Sequence, residues 1–185
     1  MTRWRWMGPA VFALVAALAG CVVAIEPYVT DATFDERLIG TWAEVGDDDT
    51  AVVTRDTGNL YAIAYTTGSG PGRFEGRLGR LGDRMVLDVK AAPRRGEVSS
   101  AYDDLLIPAH VAVLIDIGAD EVNIGLIDPD SLAPLLRDQA RLAHLRTKEQ
   151  VILTGTTAQL RAALASHVGR AGAASANTKF RRVRR

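Results

Sequence analysis

Between Gly40 and Leu126 apolar and polar residues alternate in short runs broken by turn-forming residues, the period of β-strands. Gly40-Thr41-Trp42-Ala43-Glu44-Val45 ends at the turn Gly46-Asp47-Asp48-Asp49, and Ala51 to Arg55 is closed by Asp56-Thr57-Gly58-Asn59. Tyr61, Ile63 and Tyr65 then alternate with Ala62 and Ala64, which makes one face large and the other small. After the loop Thr67-Gly68-Ser69-Gly70-Pro71-Gly72, Phe74, Gly76 and Leu78 oppose Glu75 and Arg77. Leu81-Gly82-Asp83-Arg84 reverses the chain into Met85, Leu87 and Val89, which alternate with Asp88 and Lys90; this is the clearest hairpin in the sequence. Residues 91–104 form a polar loop. Val111, Val113, Ile115 and Ile117 then alternate with His110, Ala112, Leu114 and Asp116, and Ala119-Asp120 turns the chain into Val122, Ile124 and Leu126. Seven strands joined mostly by short turns predict an antiparallel meander, and closure into a barrel removes its open edges.

The period changes at Asp128-Pro129-Asp130-Ser131. Leu132, Leu135, Leu136, Gln139 and Ala143 follow helical spacing, with acidic residues at the N-terminal end where the helix dipole favours them. Val151-Ile152-Leu153 is a short apolar strand. Thr156 or Thr157 caps a second helix with Leu160, Ala163, Leu164, His167 and Val168 on one stripe, and Lys179 to Val183 is a last strand. The expected fold is therefore mainly β (α+β): a meander closing into a β-barrel, with two C-terminal helices near 130–146 and 156–168. The domain spans 37–185, and 21–36 is a tether, where Pro27 and scattered polar residues break any period.

The N-terminus changes the picture of where this domain works. Arg3 and Arg5 precede an apolar run from Met7, and Leu18-Ala19-Gly20-Cys21 follows. These four residues resemble the lipobox of bacterial lipoproteins, and Cys21 is the single cysteine of the 185-residue chain. The resemblance implies a signal peptide at 1–20, diacylglycerol on the Cys21 thiol and, after cleavage, a further acyl chain such as palmitate on its amine. It places the domain in a bacterial cell envelope, with the membrane as partner through Cys21. Val22 is not an acidic retention signal, which points to the periplasmic face of the outer membrane. The alternative is an uncleaved anchor helix, because residues 6–25 carry no charge over about the 20 positions a bilayer needs. Both put the domain on the same side of the membrane. Loss of residues 1–20 takes Arg3 and Arg5 and leaves 20 basic against 22 acidic side chains, an ordinary soluble balance. That balance lacks the basic excess of a nucleic-acid binder, and one cysteine excludes an intramolecular disulfide or a multi-cysteine metal site.

Leu38-Ile39-Gly40-Thr41-Trp42, at the head of the meander, resembles the Gly-X-Trp opening of lipocalins and related calycin barrels. The resemblance implies that Trp42 closes the barrel floor beneath a basic side chain from the end of the domain, Arg181 or Arg182, in cation–π contact. The two-helix C-terminal part departs from the usual single helix and final strand of that family.

Chemical candidates are few, and no metal site or cofactor is expected. His110 stands near Asp103, Asp104 and Asp116 in sequence, as an acid–base pair or as a strand-end histidine bonded to a loop. His144 and His167 read as packed helix residues, Asp47-Asp48-Asp49 as a solvated turn, and Ser69 as part of a hairpin loop. The basic run from Lys179 to Arg185 reads as a solvated final strand or a contact with anionic lipid. Trp42, Tyr61, Tyr65, Phe74 and Met85 are the candidate ligand-lining residues. The expected function is non-catalytic binding of a small apolar ligand, or of an envelope partner, by an anchored barrel. The alternatives are a structural or assembly lipoprotein with a solid barrel and, third, a His110-dependent hydrolase.

Overall fold

The structure, a computed structural model, describes residues 22–92, 108–138, 140–147, 150–175 and 177–184. The expected signal peptide, Cys21, Asp103 and Asp104 lie outside the described residues. In chain order the strands are β1 (Val22–Ala24), β2 (Gly40–Glu44), β3 (Thr50–Arg55), β4 (Leu60–Thr67), β5 (Gly70–Leu81), β6 (Arg84–Ala91), β7 (His110–Ile117), β8 (Glu121–Leu126), β9 (His144–Arg146), β10 (Val151–Leu153) and β11 (Thr178–Arg182). One α-helix, α1 (Thr157–Leu164), is present among the described residues.

Strands β2 to β8 form the predicted meander, each antiparallel to the next. The last strand, β11, pairs with β8 on one side and β2 on the other, so eight antiparallel strands close on themselves. The hairpin between β5 and β6 turns through Gly82 and Asp83, with Leu81 opposite Arg84. Gly82 has φ +63, and a side chain there would run into the Ala165 carbonyl just after α1.

Two apolar clusters divide the molecule. Trp42, Tyr61, Leu78, Ile115, Val122 and Phe180 belong to one, joined by Ile63, Tyr65, Met85, Leu87 and Ile124. Register places all of these strand residues on a single face, the inside of the barrel: Trp42 opposes Ala51, Leu78 opposes Leu87, and Phe180 opposes Val122. The second cluster lies outside. It joins Val86, Ala112 and Leu114 on the outer face of β6 and β7 to Val22, Ala24, Tyr28, Leu132, Val151, Leu153, Leu160 and Leu164.

That outer layer is where sequence expectation and structure part. Among the described residues of 130–146 no helix forms. The chain makes successive turns with three-residue bonds from Ser131 to Asp128, Leu132 to Pro129 and Ala133 to Asp130, and then enters β9. Pro134 has no amide for the Asp130 carbonyl and crowds the preceding turn, so the helical period is not propagated. The second helix does form, with a capping box in which Thr156 and Gln159 bond reciprocally, but regular α-structure stops at Leu164. The expected tether, 21–36, is packed from its first described residue. β1 pairs with β7 and β10, and Tyr28 and Val29 are buried. β10 lies parallel to β1 and antiparallel to β9, so these three short strands form a flap joined to the barrel through β7.

Candidate ligand-binding barrel interior

The two ends of the barrel differ. Residues 31–39 cross one end as a floor. Thr33 bridges to Leu78, and Phe34 stacks on Tyr61 with ring centroids 5.1 Å apart, under the Arg55 guanidinium at 4.2 Å. The buried Tyr61 hydroxyl accepts from the Asp35 amide at 2.6 Å and reaches the Asp35 carbonyl at 3.2 Å. Trp42 Nε1 donates to the Leu38 carbonyl at 2.9 Å. Arg182 sits over the indole with its guanidinium carbon 4.3 Å from the ring centroid, and donates to the carbonyls of Ile39 (2.7 Å) and Arg37 (2.6 Å). The basic side chain expected over Trp42 is thus supplied by Arg182. Arg181 points outward, where it and Lys179 share the Glu121 carboxylate.

At the other end the inner face is apolar and half-buried. Phe74, Val89, Val111, Val113, Ile124 and Leu126 line it, and solvent reaches each of them. An eight-stranded barrel either fills its interior with side chains or leaves room for one small ligand. The polar groups of this end lie on one side. Tyr65 donates its hydroxyl to Asp49 Oδ2 at 2.8 Å, and Glu44 Oε2 is 3.4 Å away. Burial, then Asp49 and Glu44, push the Tyr65 hydroxyl up, and burial with the neighbouring Asp49 and Asp47 raises Glu44 above the usual carboxylate range. Tyr65 also meets Phe180 edge-on at 6.4 Å.

All five residues predicted to line a ligand lie on this inner face. Trp42, Tyr61 and Met85 sit towards the floor, whereas Tyr65 and Phe74 stand towards the open end. Of the small residues in the same strands, Gly76 faces inward opposite Tyr61, while Ala62 and Ala64 face out. A side chain at Gly76 would press on Ile63 and Leu87.

The histidines have structural partners. His110 Nδ1 lies 2.7 Å from Asp88 Oδ1, on the outer face of the wall, and Asp116 instead pairs with Arg84 at 3.3 Å. Asp88 is buried and its other oxygen accepts from the amides of Tyr28 (2.8 Å) and Val29 (3.2 Å). This cluster escapes a reading of the sequence, because Asp88 alternates with Leu87 and Val89 like any solvent-facing strand residue. A second cluster, Ser131 Oγ and His167 Nε2 at 2.9 Å, has the composition of a nucleophile–base pair. The Ser131 hydroxyl, however, also donates to the Asp128 carbonyl at 2.6 Å and lies 3.5 Å from the Ala173 carbonyl, so backbone oxygens compete with Nε2 for its one proton. Burial lowers the His167 pKa, which agrees with a neutral ring. His144 lies in β9, not in a helix, with Nδ1 2.8 Å from the Leu142 carbonyl. Ser69 lies in the β4–β5 turn, and Asp47 and Asp48 are exposed. Among the described residues no group of three metal-binding side chains occurs, and no helix is long and apolar enough to cross a membrane. Comparison with known protein families, with curated protein sequences and with solved structures gave no match in any of the three.

Proposed function

We propose that this chain is a lipid-anchored carrier of the bacterial cell envelope, held through an acylated Cys21, whose barrel binds a small apolar ligand without catalysing a reaction. The observation that carries the reading is the contrast between the two ends of one inner face. The floor is closed by Trp42, Tyr61, Arg182 and residues 31–39, while the far end presents partly exposed apolar side chains along β5 to β8. Leaving such side chains wet forgoes about 25 cal/mol for each Å² of apolar surface, which an apolar guest recovers. Tyr65 and Glu44 offer the guest a polar contact at the rim. The Gly-X-Trp opening and the Arg182–Trp42 contact support a likeness to lipocalins at the level of architecture. The test is the intact mass of the membrane-extracted protein, with co-purifying lipid identified in the same run. The reading expects a chain starting at Cys21, carrying acyl groups and a stoichiometric apolar guest. An unprocessed chain would overturn the anchor, and a processed chain that takes up no apolar probe would overturn the carrier.

A structural or assembly lipoprotein is the second reading. A shallow hollow outside β2 and β3, lined by Ile39, Thr41, Val52 and Val183, favours it: Val52 is 42% and Val183 44% exposed, a patch suited to a protein partner.

A further inference from the structure

The inner face of the barrel does not end at the barrel. Strand β8 follows β7 only as far as Val113, opposite Leu126, and beyond that point β1 takes its place at Val111. Paired residues in neighbouring strands point to the same side of the sheet. One row therefore runs unbroken from the lumen to the edge of the flap: Val89, Val111, Val23, Ile152 and Leu145, each directly opposite the next. Every residue in it is apolar, and its outer end is the most exposed. Val89, Val111, Val23 and Ile152 are half-buried, and Leu145 on the edge strand is 61% exposed. The alternate residues of the flap, Val22, Ala24, Val151 and Leu153, are buried in the outer cluster, so the flap has one packed face and one open one. The three strand spacings from Val111 to Leu145, at about 4.8 Å each, make a path of roughly 14 Å.

We propose that this open face of the flap is the portal by which an acyl chain passes from the bilayer into the barrel. The proposal rests on the carrier reading above. Its further support is the position of the anchor: Val23 is the middle residue of the row and only two residues from Cys21 in sequence. β1 is paired on both sides and its first residue is Val22, so an anchor on the preceding residue brings the membrane next to the flap. Exchange across this face is a sliding of apolar chain over apolar side chains, with no water-filled gap to cross.

The experiment uses the full, membrane-processed protein in phosphatidylethanolamine–phosphatidylglycerol vesicles, with a fluorescent fatty acid as probe. Uptake is followed once from probe dissolved in the vesicle bilayer and once from monomeric probe in water, where no bilayer has to be left. Leu145→Glu places a carboxylate at the outer end of the row, on an exposed site where folding tolerates it. It is expected to slow uptake from the bilayer about tenfold or more, through loss of the apolar contact there. Uptake from water, final occupancy and melting temperature stay as in the wild type. Val52→Glu, at the other exposed apolar patch, leaves bilayer uptake unchanged. Equal bilayer uptake rates for wild type and Leu145→Glu, or equal slowing by Val52→Glu, would overturn the portal while leaving the carrier standing. Failure of the wild type to bind probe from water overturns the carrier and the portal together. Dimeric wild type made monomeric by Leu145→Glu would assign the face to a second copy of the chain instead.

Discussion

Replacing Asp88 with alanine tests how the N-terminal segment is held to the barrel. The carboxylate is buried and serves three donors: the Tyr28 amide at 2.8 Å, the Val29 amide at 3.2 Å and His110 Nδ1 at 2.7 Å. Alanine removes every acceptor and leaves those groups under the cover of residues 22–30. A buried donor without a partner costs about 1–3 kcal/mol, and partial relaxation brings the sum to roughly 3–6 kcal/mol. A domain holds on the order of 5–15 kcal/mol in all, so the change consumes a large part of it. At about 2–4 °C per kcal/mol for a chain of this size, the melting temperature falls by roughly 6–24 °C. Urea unfolding gives the free energy, and amide exchange at Tyr28 and Val29 shows whether the segment lets go before the barrel does. Asp88→Asn keeps one acceptor oxygen and is expected to lose less than half as much. A loss below about 1 kcal/mol for alanine, with both amides still protected, refutes the reasoning.

Arg182→Met removes three hydrogen bonds to carbonyls, those of Arg37, Ile39 and Ala119, and the contact over Trp42, and is expected to cost about 2–4 kcal/mol in urea unfolding; exposed Arg181→Met stays within about 0.5 kcal/mol. His167 has a folded pKa depressed below 6.5, so its contribution is complete above pH 6.5 and is lost as pH falls from there through the folded value. Melting curves should show that acid-side slope, and His167→Gln should flatten it. Val113→Phe distinguishes a hollow interior from a solid one: a hollow barrel loses under about 1 kcal/mol while apolar-probe binding weakens, whereas a packed core loses about 1–3 kcal/mol. Gly82→Ala is expected to lower the melting temperature measurably, because Gly82 has φ +63 and the Ala165 carbonyl stands where the methyl would go.

The barrel was legible in the sequence because each of its strands carries its own signal. Alternation in β4 to β8 and the tight turn at Gly82-Asp83 give existence, order and register to within a residue or two. The side that faces inward was not legible, since Tyr61, Ile63 and Tyr65 look the same whether they meet a lumen or a covering layer. The outer layer was hidden for a related reason. Val86, Ala112 and Leu114 are covered by residues 22–30 and by turns, short strands and one helix between Asp128 and Val168, whose order in space the sequence does not signal. β1 and β9 are three residues each, too short to alternate, and exist because β7 and β10 offer them partners. Pro134 overruled an apolar spacing that otherwise reads as a helix. The Trp42–Arg182 contact was expected from a resemblance, whereas Asp88 with Tyr28, Val29 and His110 joins residues up to 60 positions apart and has no local signature.

The place of β11 between β2 and β8 has a kinetic consequence. Until residues 178–182 arrive, the meander is an open sheet with two unpaired edges, at β2 and at β8. Closure joins Arg182 to Trp42 across most of the described chain, and such distant pairings make folding slow. A ribosome or a translocation channel that still holds residues 178–182 therefore holds a chain unable to finish its barrel. On the proposed envelope reading, the delay keeps the chain threadable while it crosses the membrane. Its hazard is that an interrupted chain leaves both edges free to pair with a neighbour.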